Sequence, residues 1–159
     1  MNIVHINSSK SWRGGEQQLA YLLENKLMNN VILCKKNSAL EQYCKSENIV
    51  HYSYKNKIDF LVQLNKISKK QLVNIIHLHD SESHTNWYIW KLISNIKIPV
   101  VLHRRVAFTK QKNFFSSKKY NDSTIKKIIC ISETVKQETA KIINDKTKLE
   151  IIYSGIKIN

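Results

Sequence analysis

The sequence predicts an α/β domain of Rossmann-like build: a parallel sheet of about seven strands with helices on both faces. Short apolar runs alternate with longer segments whose apolar residues recur every three or four positions. That alternation belongs to parallel strands joined by crossover helices. The chain opens on a strand, a glycine loop and a helix start, the unit at which such sheets meet ligands. Its 159 residues, 42% of them apolar with a single proline, suit one domain with a core of its own.

Ile3 to Ile6 is the first strand. The loop after it contains Trp12-Arg13-Gly14-Gly15-Glu16-Gln17-Gln18, and apolar residues at Leu19, Leu22, Leu23 and Leu27 then mark a helix. Gly14 and Gly15, lacking Cβ, permit positive φ and let a ligand approach the backbone, while the helix N-terminus offers unpaired N–H groups. Val31 to Cys34 is a second strand, Ala39 to Ser46 a polar helix, and Ile49 to Tyr54 an alternating third strand. Ile58, Leu61, Val62, Leu64 and Ile67 space a helix that closes on Lys69 and Lys70, cations suited to a helix C-terminus. Val73 to Asp80 is a fourth strand with a polar end, and Glu82 to Ile96 a helix bearing Trp87, Ile89, Trp90, Leu92 and Ile93. Pro99 opens a fifth strand, Val100 to Leu102, where its missing N–H is tolerated, and this strand ends at His103-Arg104-Arg105. A long polar connection with embedded aromatics follows. Ile128 to Ile131 is the sixth strand, Ser132 caps a helix reaching Ile142 and Ile143, and Leu149 to Tyr153 is the seventh strand.

Composition narrows the function classes. No apolar run approaches the roughly 20 residues of a membrane span, and Met1 to Ser9 lacks the basic flank and apolar block of an export signal. Cys34, Cys44 and Cys130 show no C-x-x-C spacing and are odd in number, as expected of reduced cytosolic thiols. A net charge of +14 favours an anionic partner. The basic pairs Lys35-Lys36, Lys69-Lys70, Arg104-Arg105, Lys118-Lys119 and Lys126-Lys127 are scattered. A nucleic-acid binder more often concentrates its charge on one helix or stripe, and an acidic membrane surface is as good a candidate. A dinucleotide oxidoreductase would carry G-x-G-x-x-G after the first strand and an acid ending the second. Here the second strand ends in Cys34-Lys35-Lys36, and that reading fails.

With these elements in place, the chain resembles the N-terminal, acceptor-side domain of the two-domain GT-B retaining glycosyltransferases, in particular family 4. Five stretches carry the likeness: Ile3-Val4-His5-Ile6-Asn7 with Trp12 to Gln18; Ile75-Ile76-His77-Leu78-His79; Pro99 to Val106; Ile128-Ile129-Cys130-Ile131-Ser132-Glu133; and Ile151-Ile152-Tyr153-Ser154-Gly155-Ile156. Tyr153-Ser154 stands where the family commonly has Pro-Asn, and Ala107 where related sequences often carry an acid. The resemblance implies a bacterial cytoplasmic protein that works on cell-envelope saccharides or glycolipids, peripheral at the inner face of the membrane where its acceptor is lipid-linked. It implies a nucleotide-sugar donor for the intact enzyme and no cofactor. In the family a second domain grips that donor with a pair of glutamates. The chain stops at Asn159, where that domain should begin, so the isolated chain is expected not to turn over. A separate donor-domain subunit on which this chain docks is the alternative, and a nucleic-acid-binding protein is the least favoured reading.

The candidate residues follow from strand ends and from the resemblance together. His103 ends a central strand where the family often places a polar residue, frequently histidine, facing the sugar being transferred. There it would hydrogen-bond the sugar or relay a proton; the plainer alternative is a strand-end histidine bonded to backbone. Arg104 and Arg105 alternate in direction, so one faces the cleft to hold a phosphate or carboxylate and the other is a surface charge. Arg104 is the candidate. Arg13, Gly14, Gly15 and Glu16 form the expected anion-binding loop, and His79 and Asp80 line the expected acceptor pocket. His77, His79, Asp80 and His84 invite a metal, but zinc needs a third or fourth ligand in fixed geometry and the resemblance implies no metal. From Thr109 to Lys127, lysines surround Phe114, Phe115 and Tyr120, and this stretch is read as an anchor to an anionic membrane surface, with packing into the core as the alternative. The flank from Tyr153 to Asn159 is expected to be poorly ordered or covered by another chain.

Overall fold

In the computed structural model, which describes residues 1–25, 27–70, 72–107 and 114–156, seven strands form one sheet in which every pairing is parallel. The strands are β1 (Asn2–Asn7), β2 (Asn29–Lys35), β3 (His51–Tyr54), β4 (Ile75–Leu78), β5 (Val100–Arg104), β6 (Ile125–Cys130) and β7 (Leu149–Ile151). The helices are α1 (Gly14–Leu23), α2 (Ala39–Ser46), α3 (Lys57–Lys70), α4 (Ser81–Ser94), α5 (Phe114–Tyr120) and α6 (Glu133–Ala140), with a 3-10 turn at Lys146–Lys148. The fold class expected from the sequence is the one observed. One difference is α5, which lies inside the stretch read as an irregular connection. Its burial of Tyr120 explains why a segment so rich in lysine is helical. Another is α6, which stops at Ala140, so that Ile142 and Ile143 reach the core from the turn beyond it.

Local chemistry sets the helix starts. Ser38 Oγ accepts the Glu41 N–H at 3.1 Å to open α2, and Ser132 Oγ accepts the Val135 N–H at 3.2 Å to open α6. Asn95, with φ 54°, closes α4 in the left-handed conformation that asparagine tolerates. Pro99 has no N–H to offer the sheet, but its carbonyl accepts from Ile76 at 2.9 Å just before β5 begins.

The strand order is β3-β2-β1-β4-β5-β6-β7. The connections run one way from β1 to β3 and the other way from β4 to β7. The reversal lies between β1 and β4, and an open parallel sheet binds ligands outside the carboxyl ends of the strands at that point. The two sheet faces differ. On one, Val4, Ile6, Ile76, Leu78 and Leu102 pack with Phe60 and Leu64 of α3, Trp87 and Trp90 of α4, Tyr120 of α5 and Val135 of α6. On the other, Ile32 and Cys34 pack with Leu19 of α1 and Leu40 and Cys44 of α2. His5 pairs with Ile32 on one side and His77 on the other, and it shares this second face. The three cysteines are buried and unbridged. No helix among the described residues is long and apolar enough to cross a membrane.

Candidate functional site

A cleft of about 370 Å³ opens at the predicted point, outside the carboxyl ends of β1, β4 and β5. The β1–α1 loop and first helical turn contribute Arg13, Gly15 and Glu16; the end of β4 contributes His79, Asp80 and Ser81; the end of β5 contributes His103, Arg104, Arg105 and Val106. Every candidate site residue except Gly14 lies on this one cleft.

Hydrogen bonding divides these residues into those that hold the loops and those left uncommitted. Glu16 is buried, and its carboxylate accepts from the Arg13 N–H at 2.9 Å and from the Asn7 side-chain amide at 2.9 Å, which pins the glycine loop to β1. Asp80 opens α4: Oδ1 accepts the N–H groups of Glu82 and Ser83, and Oδ2 accepts the Ser8 N–H at 2.7 Å. Burial raises the Asp80 pKa and these donors oppose it. The two acids are therefore structural acceptors that join loop to strand. Arg13 donates to Ser9 Oγ at 3.0 Å. Neither Gly14 nor Gly15 adopts the positive φ that glycine permits. The requirement at Gly15 is close approach instead: a Cβ there would lie 3.1 Å from Cδ of Arg105.

The two arginines sort differently from the sequence expectation. Arg104 is buried, donating to Ser81 Oγ at 2.8 Å and to the Val106 carbonyl at 3.1 Å, with its guanidinium 5.7 Å from the Tyr120 ring centre. Arg105 lies along the glycine loop, and its Nε and one terminal nitrogen have no partner among the described residues. Burial lowers its pKa while the Glu16 carboxylate opposes the shift. Arg105 is thus a functional candidate that the sequence reading passed over. The signal was present: residues two apart on a strand share a face, so a cleft-facing His103 selects Arg105.

Behind Arg105 runs a row of imidazoles across three strands. His5 Nδ1 lies 3.0 Å from His79 Nε2, and His5 Nε2 lies 3.2 Å from Asn30 Oδ1. His77 and His79 have ring centres 4.0 Å apart, and His77 stacks on His103 at 5.7 Å with planes 6° apart. Burial pulls His103 down to about 3, Arg105 adding to the effect, and burial pulls His5 down to about 4. His77 and His79 are lowered well below the ordinary histidine value, first by burial and then by their neighbours. At neutral pH His103 is an uncharged hydrogen-bonding group, with neither ring nitrogen partnered among the described residues. That suits contact with a sugar hydroxyl better than proton relay. The set His77, His79, Asp80 and His84 does not converge. His84 is buried against Trp87 and the Lys119 carbonyl, and Asp80 is committed to backbone. It is His5, absent from that set, whose ligand atom lies with those of His77 and His79 inside 4.8 Å, close enough for a cation.

The profile of Glycosyltransferase Family 4 matches residues 32–159 of the chain. The chain belongs to glycosyltransferase family 4. The match begins inside β2, so the glycine loop is reached through the fold rather than through the profile. The family 4 domain is similar to Anabaena Alr3699/HepE, solved in complex with UDP-glucose, at 14% identity and TM-score 0.77, covering 98% of this chain and 44% of that one. It is similar to the lipopolysaccharide outer core galactosyltransferase WaaB, at 12% identity and TM-score 0.73, covering 100% of this chain and 47% of that one. It is also similar to Acinetobacter baumannii MurG, at 11% identity and TM-score 0.60, covering 84% and 42% respectively. At these identities the likeness is one of fold: the domain has the architecture of one GT-B half and spans less than half the length of each of these enzymes. No curated protein sequence matches it.

The remaining sequence candidates fall outside the cleft. Tyr120 and Lys119 are buried, so the proposed membrane segment loses two of its members to the core. Lys127 lies on β6, paired with Glu150 at 3.2 Å. Phe114 is 76% exposed beneath Lys118, while Phe115 sits edge-on to Tyr88; residues 109–113 of this segment lie outside the described residues. In the C-terminal flank, Gly155 is held by both arms of the Gln18 side chain, at 2.6 and 3.1 Å, although Tyr153 is 71% exposed. This tether fixes Gly155 against α1, while Ile156 beside it is exposed; residues 157–159 lie outside the described residues.

Proposed function

We propose that this domain is the acceptor side of a glycosyltransferase that moves a sugar from a nucleotide-sugar to a cell-envelope saccharide or glycolipid. The observation that carries the reading is the cleft at the sheet's reversal point, where an uncommitted neutral His103 and an uncommitted Arg105 face the glycine loop. In this reading Arg105, the Gly15 backbone and Arg13 meet the donor diphosphate, and His103 orients a hydroxyl of the transferred sugar. Catalysis then comes from positioning and from stabilising charge as it develops on the leaving group. A second domain grips the nucleotide, either continuous with this one or supplied by another subunit. Family membership supports the reaction class, and the similarity to WaaB, a lipopolysaccharide outer core galactosyltransferase, supports an envelope acceptor. The protein works at the cytoplasmic side of the membrane.

The test is transfer from radiolabelled UDP-glucose to a lipopolysaccharide-core acceptor. The 159-residue chain alone is expected to give none. The chain fused to a family 4 donor domain is expected to transfer, and His103→Ala in the fusion to abolish transfer. Turnover by the isolated chain, or undiminished turnover by the His103→Ala fusion, refutes the proposal.

A further inference from the structure

A second cleft, of about 550 Å³, opens along the same carboxyl edge of the sheet, at the ends of β2 and β3. Five lysines line it: Lys10 from the β1–α1 loop, Lys35 at the end of β2 with Lys36 just after it, Lys55 from the β3–α3 loop and Lys57 at the start of α3. Glu82 is the one carboxylate in the lining, and it binds Lys35 at 2.9 Å. Lys10, Lys36, Lys55 and Lys57 have no carboxylate within ion-pair distance among the described residues, although Asp59 lies near enough to feel Lys55 and Lys36. α3 begins at this cleft and its N-terminus adds partial positive charge, whereas the first N–H groups of α4 are already taken by the Asp80 carboxylate.

The second observation is Asn86. It lies on α4 in the wall of this cleft and is 2% exposed, with neither its amide nitrogen nor its amide oxygen partnered among the described residues. A buried amide without partners costs stability, and one that persists beside a cation-rich cleft is placed to bond a ligand. Lysines suit that ligand if it carries compact, multiply charged oxygen groups, since each ammonium is a mobile point charge rather than a planar fork. Phosphate fits this description better than a lone carboxylate. The volume is of the size that holds a small organic ligand.

We infer that this lysine cleft binds a phosphate-bearing group on the acceptor, a sugar phosphate or a saccharide linked through diphosphate. The assignment to the acceptor rests on the proposed function above. The binding itself does not, because it is measured on the isolated chain without any transfer. The two clefts share one edge of the sheet, so an acceptor phosphate held by the lysines leaves its sugar free to extend towards His103.

Calorimetric titration of the 159-residue chain with inorganic pyrophosphate, glucose 1-phosphate and UDP tests the inference. Lys36 and Lys55 are exposed, so Lys36→Gln with Lys55→Gln leaves the fold intact. This double variant is expected to weaken pyrophosphate and glucose 1-phosphate roughly twenty-five-fold, about fivefold for each charge contact, while leaving UDP unchanged. Raised salt is expected to reproduce the loss in the wild type. Asn86→Leu is expected to weaken both phosphates several-fold while raising the melting temperature, because it removes an unsatisfied buried amide. A purely structural Asn86 would give no loss of affinity. The inference is overturned if pyrophosphate fails to bind, if its affinity ignores the lysine variant, or if Asn86→Leu stabilises without weakening binding. A lysine variant that loses UDP in equal measure overturns the acceptor assignment and gives the cleft to the donor. Failure of the fusion to transfer sugar would count against the proposed function and leave the cleft's phosphate affinity untouched.

Discussion

Gly14 and Gly15 are neighbours in sequence, both open α1, and neither has positive φ, yet the structure predicts opposite responses to the same substitution. Glycine at a position whose conformation alanine can adopt costs about 0.5–1 kcal/mol, mainly through the freedom it gives the unfolded chain. A Cβ at Gly14 meets nothing within 4 Å, so Gly14→Ala keeps that increment. For a domain of this size it is a rise in melting temperature of about 1–4 °C. A Cβ at Gly15 lies 3.1 Å from Cδ and 3.3 Å from Nε of Arg105, inside the roughly 3.5–4.0 Å of a favourable carbon contact. The stem of Arg105 must move by a few tenths of an ångström, and the cost of moving it cancels most of the gain. Gly15→Ala is therefore expected to change the melting temperature little. The decisive measurement is a double-mutant cycle by scanning calorimetry. In an Arg105→Ala background, Gly15→Ala recovers the full increment, whereas Gly14→Ala gains the same amount in either background. Equal gains at both glycines in the wild type, or no coupling between Gly15 and Arg105, would refute the packing of Arg105 against the loop.

Acid sensitivity is the second expectation. The folded-state pKa values of His5 and His103 lie at about 4 and about 3, below the 6.5 of the unfolded chain, so the unfolded state binds more protons and stability falls as pH drops below 6.5. Well below pH 6.5 each histidine withdraws about 1.4 kcal/mol per pH unit, and the pair withdraws about 3 kcal/mol between pH 6.5 and 5, since at pH 6.5 the unfolded imidazoles are only half protonated. That is a large part of a typical stability of about 5–15 kcal/mol; urea midpoints that are flat from pH 7 to 5 would contradict it. Asp80→Ala removes the α4 cap and the acceptor of the Ser8 N–H, an expected loss of about 2–4 kcal/mol by urea unfolding, with Asp80→Asn milder; a loss below about 0.5 kcal/mol would show the loop is held elsewhere. For the membrane segment, replacing exposed Phe114 with Ser is expected to reduce flotation with anionic liposomes without altering unfolding, and equal flotation with neutral vesicles would remove the anchor reading.

The fold was legible because the strands are short β-rich runs and three of the helices, α2, α4 and α6, carry start signals in Ser38, Asp80 and Ser132; α5, which has none among the described residues, reads in sequence as an irregular connection. That the candidate residues would meet in one cleft was legible for a related reason, since in an open parallel sheet the loops at the carboxyl ends of the central strands converge at the reversal point. What each cleft residue does was harder to read. Glu16 and Asp80 look like ligand-binding acids in one dimension, but their oxygens are committed to N–H groups that are revealed only when strand ends and loops come together. Arg105 was obscured by its neighbour Arg104, and only the parity of β5 separates them. His5 and Asn86 carried no signal, because a lone histidine in a strand and a lone asparagine in a helix are ordinary until their neighbours are known.

The chemistry of the carboxyl edge follows from this division. Both acids in the first cleft have their oxygens directed into the protein, and Glu82, the acid of the second, is bound to Lys35. Lining the two clefts, Nε and one terminal nitrogen of Arg105, both ring nitrogens of His103 and the Asn86 amide have no partner among the described residues, and they are accompanied by lysines that lack a carboxylate. This edge offers far more hydrogen-bond donors and positive charge than acceptors. A ligand that satisfies it must therefore be rich in acceptor oxygens and negatively charged along two separate stretches. Phosphate groups on both the donor and the acceptor meet that requirement, whereas a neutral glycan would leave the lysine cleft unmatched. Part of the net charge of +14 is concentrated in this lysine-lined cleft rather than spread evenly as solvated surface.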